Sequence, residues 1–343
     1  MPTVREKLEQ REYKFLEAGA AKSAETAGRL IDEPPCDLRT DFQRDRDRII
    51  HCSAFRRLKH KTQVFLSPEG DYYRTRLTHT LEVAQIARTI SRTLGLNEDL
   101  TEAVALGHDL GHTPFGHAGE RALDLLTPFG FRHYEHSVRV CRVLERQGRG
   151  LNLTSEVLDG IECHTLGREA STLEGRVVRV SDRIAYMNHD IDDAVRAGII
   201  AEEDIPKDIC AALGYKKSAR IDRMVRSVCE CSKTDSDNMA ENRIIMSPEV
   251  GEAAEELHKY LFSSLYINPL AKAEEGKVAA FVRRLYEYYC THPMQLPYEY
   301  TLITEREGAE RAVTDFIAGM TDRYAVRTFE DLFVPKNFSS RGE

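Results

Sequence analysis

The amino-acid sequence predicts an all-α fold, because helical periodicity recurs along most of the chain and strand patterns are few. In residues 76–95 and 174–197, apolar side chains repeat every three or four positions, as in helices that bury one face. Asn97 is a favourable helix N-cap, and Gly95 and Gly198 are favourable helix ends. With 343 residues, the chain can bury a large helical core.

Residues 1–41 are expected to form a polar helical arm that is loosely attached. Apolar anchors such as Leu8 are few in this stretch, and Glu33-Pro34-Pro35 interrupts its helical pattern. Near-helical apolar spacing begins after this interruption. We therefore expect a helical core over residues 42–200, and over residues 201–343 a C-terminal helical region that packs on the core and contributes to oligomerisation.

A short extended piece is predicted at residues 61–65, which include the β-branched residues Thr62 and Val64. Ser67-Pro68-Glu69-Gly70 has the composition of a turn, so a short hairpin running into Tyr73 is predicted.

Helical patterns continue to the end of the chain. The helix after Asn97 carries His108 and Asp109 near its C-terminal end, which Thr113-Pro114 closes. The polar stretch 231–242 is predicted to be a loop. Further helical segments are predicted at residues 42–58, 123–126, 133–147, 154–163, 252–265, 278–290 and 311–324.

Composition excludes several classes of protein. No apolar run approaches the ~20 residues that a membrane span needs, and the N-terminus lacks an apolar signal core, so a cytoplasmic protein without membrane contact is expected. The eight cysteines form no CxxC pair and are expected to be reduced, mostly buried thiols. The net charge of −8 argues against a general nucleic-acid coat.

Basic side chains are nevertheless concentrated between Arg44 and Arg76, shortly before His79. Such a local excess would attract a polyphosphate. The alternative interpretation is a solvated helix face, which describes at least part of this segment.

The strongest functional signal is the run from His108 to Glu120, which holds three histidines and two carboxylates in thirteen residues. Packing does not require two adjacent polar residues such as His108 and Asp109, since a helix buries positions three and four apart. An adjacent imidazole and carboxylate at a helix end can bind one metal ion. His79 and Asp182 are candidates to complete the set.

Two imidazoles and two carboxylates form a ligand set with a clear chemical preference. They suit one divalent metal ion with open water positions, namely Mn²⁺, Fe²⁺, Co²⁺, Ni²⁺ or Mg²⁺. The set lacks the thiolates that are common at structural zinc sites. An ion held in this way can polarise a phosphate oxygen and activate water.

Other side chains near this run offer acid–base chemistry. His112, His117 and His133 are candidates, because imidazole titrates near neutral pH. Glu120 lies three residues after His117 and would hold its protonated ring in place. His164 is interpreted as a core or supporting histidine rather than a ligand.

Ordered motifs along the chain resemble those of the HD-domain metal-dependent phosphohydrolases, and within them the deoxynucleoside triphosphate triphosphohydrolases. The resemblance spans roughly residues 40–335. It is carried by Phe55–Leu58, Lys61–Phe65, Arg74–His79, His108–Glu120, His133–Ser137 and Ser181–Tyr186, and more loosely by Ser247–Val250 and Gly319–Tyr324.

The resemblance implies an HD-domain helical core with an additional C-terminal helical region, and it assigns roles to the reactive residues. It implies that His79, His108, Asp109 and Asp182 bind the metal. It further implies that His112 and His133 contact the α-phosphate and that His117 acts near the leaving 5′ oxygen.

The same resemblance implies a set of substrate contacts. Arg76 and Arg183 match triphosphate-binding positions, and Gln63 matches a position that reads the sugar 3′-hydroxyl. Tyr186 matches an aromatic residue that stacks under the deoxyribose and leaves no room for a 2′-hydroxyl. Asp190, which shares a helix line with Asp182 and Tyr186, matches a further sugar contact.

The function expected from these features is metal-dependent hydrolysis of dNTPs at the α-phosphorus, which yields a deoxynucleoside and inorganic triphosphate. An additional Mg²⁺ is expected to accompany the triphosphate. A closed homo-oligomer of even number is expected, as is weak binding to single-stranded nucleic acid. Two alternatives stay open: an HD-domain phosphohydrolase acting on a nucleoside monophosphate or cyclic nucleotide, and a nucleic-acid-binding regulatory protein with a relic site.

Overall fold

The computed structural model describes residues 1–63, 74–165, 167–266 and 269–335. Within these ranges the chain is helical, its β-bridges are isolated, and no strands join into a sheet. The all-α prediction is therefore confirmed. Thr62, in the predicted extended piece, bridges to Thr75. The predicted turn at residues 67–70 and the hairpin running into Tyr73 lie outside the described residues.

The helices follow one another with short connections. Those of the first half are α1 (Val4–Phe15), α2 (Asp41–Ile50), α3 (Ser53–Arg57), α4 (Arg76–Thr93), α5 (Glu98–Gly107), α6 (Gly116–Leu126), α7 (His133–Arg139), α8 (Glu145–Gly148) and α9 (Ser155–Glu162). Those of the second half are α10 (Leu173–Arg196), α11 (Lys207–Leu213), α12 (Lys217–Cys231), α13 (Pro248–Leu261), α14 (Pro269–Thr291), α15 (Tyr298–Glu307), α16 (Ala309–Gly319) and α17 (Asp322–Phe333).

Helices α4, α5 and α10 pack against one another at the centre of the molecule, with α2 and α9 against α5. Nearly every residue of α5 from Leu100 onward is buried, because neighbours cover it on several sides. Close approach to α9 depends on Gly160, where an added Cβ would lie 2.6 Å from a methyl carbon of Val104. The packing of these helices determines the positions of α4, α10 and the C-terminal end of α5, where the candidate metal ligands lie.

The buried apolar residues form two clusters. The first includes the central helices and extends through α11–α13 as far as Leu261, beyond the boundary expected at residue 200. The second joins Leu123 of α6 to Val282 of α14 and Val313 of α16. The predicted C-terminal region therefore contributes to both clusters, and the domain limits stay a prediction.

The expectation that residues 1–41 form a loosely attached arm is wrong. The side chain of Arg29 is almost completely buried, pairs with Asp41 at 2.7 Å and with the buried Asp45, and donates to the carbonyl oxygen of Asn152 at 2.7 Å. Farther upstream, the Ala21 amide donates to Glu174 of α10 at 3.0 Å. Such contacts join residues distant in sequence, so helical periodicity could not predict them.

The helix predicted at residues 133–147 is interrupted. After α7 a π-helical segment covers Val140–Leu144, and Arg146 and Gln147 adopt left-handed backbone angles with φ of 52° and 58°. The chain folds back there so closely that the Leu151 amide donates to the Cys141 carbonyl at 2.6 Å. The predicted helix therefore ends where the chain reverses direction at Arg146 and Gln147.

The eight cysteines are free thiols, as expected, but five of them are partly exposed rather than buried. In the part of the chain that the structure describes, no helix is long and apolar enough to cross a membrane.

Candidate functional site

One cavity of about 850 Å³ opens above the centre of the molecule. Its volume is in the range of small-molecule sites. His108 and Glu120 are buried behind its wall, and the other predicted site residues line it. These lining residues are Gln63, Arg76, His79, Asp109, His112, His117, His133, Asp182, Arg183, Tyr186 and Asp190.

The four predicted metal-binding residues come together at the bottom of this cavity. His79 lies on α4, His108 and Asp109 follow α5, and Asp182 lies on α10. The Nε2 atom of His79 lies 3.0 Å from Oδ1 of Asp182, and the Nε2 atom of His108 lies 3.5 Å from Oδ1 of Asp109. One ligand atom from each of His79, His108 and Asp109 lies within 4.8 Å of the others.

Hydrogen bonding shows that His108 suits a metal ion. Its Nδ1 atom lies 2.7 Å from the carbonyl oxygen of Ala105, which can only accept, so Nδ1 carries the proton. The opposite atom, Nε2, is buried and has no hydrogen-bond partner among the described residues. A bare imidazole nitrogen aimed at carboxylates is a metal-ligand arrangement, with its tautomer fixed from behind.

Asp109 is also held by Arg76. The guanidinium donates to Oδ2 of Asp109 at 2.7 Å and to the carbonyl oxygen of Gln63 at 3.0 Å. Burial alone would favour the neutral acid, but the nearby positive charge of Arg76 outweighs it and holds the pKa of Asp109 well below its usual range. Arg76 also lines the cavity. Its contact with a triphosphate stays a prediction.

A second cluster of reactive groups, centred on Glu120 of α6, adjoins the predicted metal ligands, and Nε2 of His112 lies 3.6 Å from Oδ1 of Asp109. One oxygen of Glu120 lies 2.9 Å from Nδ1 of His133, and the other lies 3.2 Å from Nδ1 of His117. Burial opposes ionisation of Glu120, but hydrogen bonds from both histidines hold its pKa far below the usual range. His117 is about half exposed at the cavity mouth, and His112 stacks on His133 with ring centroids 4.1 Å apart.

His164 has a supporting position, as its sequence context suggested. Its Nδ1 atom donates to the Ile161 carbonyl oxygen at 2.7 Å, and its Nε2 atom lies 3.3 Å from Nε2 of His133. Burial lowers the pKa of His164 to about 4, so its ring is neutral and its Nε2 atom can accept a hydrogen bond from Nε2 of His133. His164 therefore orients His133 from behind.

The predicted sugar and phosphate contacts follow α10 along the cavity wall. Arg183 forms an ion pair with Glu255 of α13, and the Tyr186 ring meets His258 edge-on at a centroid distance of 6.0 Å. Burial raises the pKa of Tyr186, which keeps its phenol neutral. Asp190 is almost completely buried one turn farther on. Their roles toward a substrate remain predictions.

The basic excess between Arg44 and Arg76 is mostly not part of the site. Arg44 and Arg48 pair with Glu33, and Arg46 pairs with Asp99 at 2.7 Å. These side chains are partly buried and ion-paired, so the alternative interpretation, a solvated helix face, does not describe α2 either.

Sequence reasoning missed other cations in the cavity wall. Arg176 and Arg179 precede Arg183 on α10, and Arg121 lies on α6. The spacing of three and then four residues on α10 places three guanidinium groups along one helix face. That spacing was visible in the sequence and could have identified them.

Comparison with known proteins agrees with this geometry. The HD domain model matches residues 76–187, and the phosphohydrolase-associated domain model matches residues 244–331. A deoxyguanosinetriphosphate triphosphohydrolase-like protein of Caldanaerobacter subterraneus is 57% identical over 97% of this chain and 96% of its own length. Proteins of the same description are 48% identical in Clostridium perfringens, over 97% of this chain and 98% of theirs, and 42% identical in Geobacter metallireducens, over 92% and 94%.

Proposed function

Because this chain belongs to the deoxyguanosinetriphosphate triphosphohydrolase-like family of HD-domain hydrolases, we propose that it hydrolyses deoxynucleoside triphosphates. Water attacks the α-phosphorus, the bond to the 5′ oxygen breaks, and the products are a deoxynucleoside and inorganic triphosphate. The observation that carries this proposal is one cavity lined by metal-binding residues, a Glu120-centred histidine cluster and a row of arginines.

Two adjoining sets of residues have complementary roles in this proposal. A divalent metal ion held by His79, His108, Asp109 and Asp182 would supply Lewis-acid polarisation and a more acidic water molecule. Beside these ligands, His112 and His133 contact the α-phosphate. Glu120 orients the ring of His117, which donates a proton to the departing 5′ oxygen.

Substrate binding is proposed to follow α10. The deoxyribose stacks on Tyr186 and contacts Asp190 and Gln63, while Arg183 and Arg76 contact the triphosphate. The row of Arg176, Arg179 and Arg183 supports a substrate with several phosphates, because each guanidinium can bind phosphate oxygens in a bidentate manner. A nucleoside monophosphate could contact only part of this row.

The decisive experiment incubates the protein with each of the four dNTPs and four NTPs, in Mn²⁺ and in Mg²⁺, and identifies the products by chromatography. Release of deoxynucleoside and triphosphate supports the proposal. Release of monophosphate and pyrophosphate, or of diphosphate and phosphate, contradicts the attack at the α-phosphorus with loss of the 5′ oxygen. Activity only on monophosphates or cyclic nucleotides supports the alternative phosphohydrolase.

A salt titration of single-stranded DNA binding beside that assay separates a hydrolase from a nucleic-acid-binding protein with a relic site. Weak, salt-sensitive binding together with hydrolysis agrees with the proposal. Tight binding without hydrolysis contradicts it.

We also propose a closed homo-oligomer of even number. Large apolar side chains of the C-terminal half, including Phe262, Met294 and Tyr298, are exposed in the single chain. Light scattering at micromolar concentration measures the mass, and a monomer contradicts this proposal.

A further inference from the structure

We propose that Asp322 is a positioning residue of the active site: its carboxylate holds the segment that carries Gln63 and the loop that carries His117 against each other. This inference rests on the proposed function for its catalytic consequence. The hydrogen bonds of Asp322 are present without substrate, so they can be tested without it.

The contacts of Asp322 join three distant parts of the chain. Asp322 is the first residue of α17. Its Oδ2 atom accepts the Thr62 amide at 3.0 Å and also the Thr62 hydroxyl, while its Oδ1 atom accepts the Phe115 amide at 3.0 Å. A carboxylate that accepts from backbone amides forms charge-assisted hydrogen bonds, which are stronger than neutral ones.

The loop that Asp322 holds is strained. Phe115 has φ of 62° and ψ of 26°, a left-handed conformation that a bulky residue rarely adopts. Strain of this kind persists only where surrounding contacts over-determine it. The amide bond to Asp322 is one such contact, and the Phe115 ring, which lies 5.3 Å from the ring of Phe281, is another. His117 follows two residues later and depends on this geometry.

The two held segments also touch each other closely. At Gly116 an added Cβ would lie 3.0 Å from the Gln63 carbonyl oxygen. The buried amino group of Lys61 donates to the His112 carbonyl and, at 2.8 Å, to the Ala318 carbonyl at the end of α16. Ala318 and Asp322, at the junction of α16 and α17, therefore contact both the Lys61–Gln63 segment and the loop at Phe115. This junction lies outside the predicted HD core.

None of the four predicted metal-binding residues is among the partners of Asp322, since His79 and Asp182 lie on α4 and α10 and His108 and Asp109 follow α5. Loss of the Asp322 carboxylate should therefore separate metal binding from turnover. It should also loosen Gln63, whose proposed partner is the 3′-hydroxyl of the substrate.

The test compares Asp322→Ala with Asp322→Asn and with Glu330→Gln, an exposed carboxylate replaced on the same helix. In Asp322→Ala, kcat should fall about 10²-fold, as expected when reacting groups move by about an ångström. Metal content should stay at the wild-type value. The preference for dGTP over its 2′,3′-dideoxy analogue should fall towards one. Asp322→Asn keeps one acceptor oxygen and should be intermediate, and Glu330→Gln should match the wild type.

Hydrogen exchange at the Thr62 and Phe115 amides provides a readout that needs no substrate. Both amides should lose protection in Asp322→Ala and keep it in Glu330→Gln. Unchanged protection, or an unchanged kcat and dideoxy preference, overturns the inference. A wild-type protein that hydrolyses no dNTP contradicts the proposed function instead, and the exchange result still decides whether Asp322 holds the two segments.

Discussion

His79 and His189 face each other through their Nδ1 atoms, which lie 3.3 Å apart. The Nε2 atom of His189 lies 3.2 Å from Oε2 of Glu82, and a carboxylate can only accept, so His189 carries its proton on Nε2. Its Nδ1 atom can then accept a hydrogen bond from the Nδ1–H group of His79. In that tautomer the Nε2 atom of His79, which lies 3.0 Å from Oδ1 of Asp182, would be available to bind a metal ion.

The first prediction is that His189→Ala weakens metal binding about 10–100-fold, the usual effect of removing a group that orients a ligand. A chelator-competition titration measures the affinity. His258→Ala, which changes another histidine in the cavity wall, serves as the control and should bind metal normally. Asp109→Asn should lose the metal altogether. If His189→Ala binds metal with wild-type affinity, the orientation of His79 does not depend on His189.

The second prediction concerns the proton donor. His117→Ala should lower kcat by about 10²–10⁴-fold, the range that a positioned general acid contributes. Metal content and melting temperature should change little, because the side chain is about half exposed. Glu120→Gln should give a smaller loss of kcat, and His51→Ala, at an exposed histidine, should give none. A fall in melting temperature with an unchanged kcat would reduce His117 to a structural residue.

The third prediction concerns sugar selection by Tyr186. Wild-type protein should prefer dGTP to GTP by about 10²-fold in kcat/KM, since shape alone rejects an added hydroxyl only modestly. Tyr186→Ala should remove most of this preference, whereas Tyr186→Phe keeps the ring and should retain it. Steady-state kinetics on both nucleotides measures the ratio. Equal wild-type rates on dGTP and GTP would rule out the proposed role.

The fourth prediction is a dependence of stability on pH through Glu174. Its carboxylate accepts the amides of Ala21 at 3.0 Å and Asn97 at 2.9 Å, yet burial raises its pKa from 4.5 to about 7. Because the folded state favours the neutral acid, this contribution to stability is fully present below pH 4.5 and is lost as pH rises through 7. The loss is on the order of 3 kcal/mol.

Glu174→Gln provides the comparison, because the amide is neutral at every pH. The free energy of unfolding of the wild type should fall relative to that of the variant between pH 4.5 and 7, and the difference should then level off. Denaturant unfolding across this range measures it. A difference that does not vary with pH would mean that Glu174 titrates normally.

Sequence patterns predicted the features that depend on neighbours along the chain. The all-α class followed from apolar spacing, which reports the buried face of each helix directly. The adjacency of His108 and Asp109 and the order of the motifs selected residues that the fold does bring together at one cavity. Few residue types bind divalent metal ions, so residue type and motif order were enough to select the candidate ligands before the fold was known.

Only the tertiary structure decided which partners those residues have. The pairing of Arg76 with Asp109, of His189 with His79, and of Asp322 with Phe115 joins positions that no local period connects. The attachment of Arg29 to Asp45 likewise reversed the expectation of a loose arm. Periodicity shows that a side chain faces inward, but burial of a polar group requires a specific partner, and the packing of distant helices determines which partner is there.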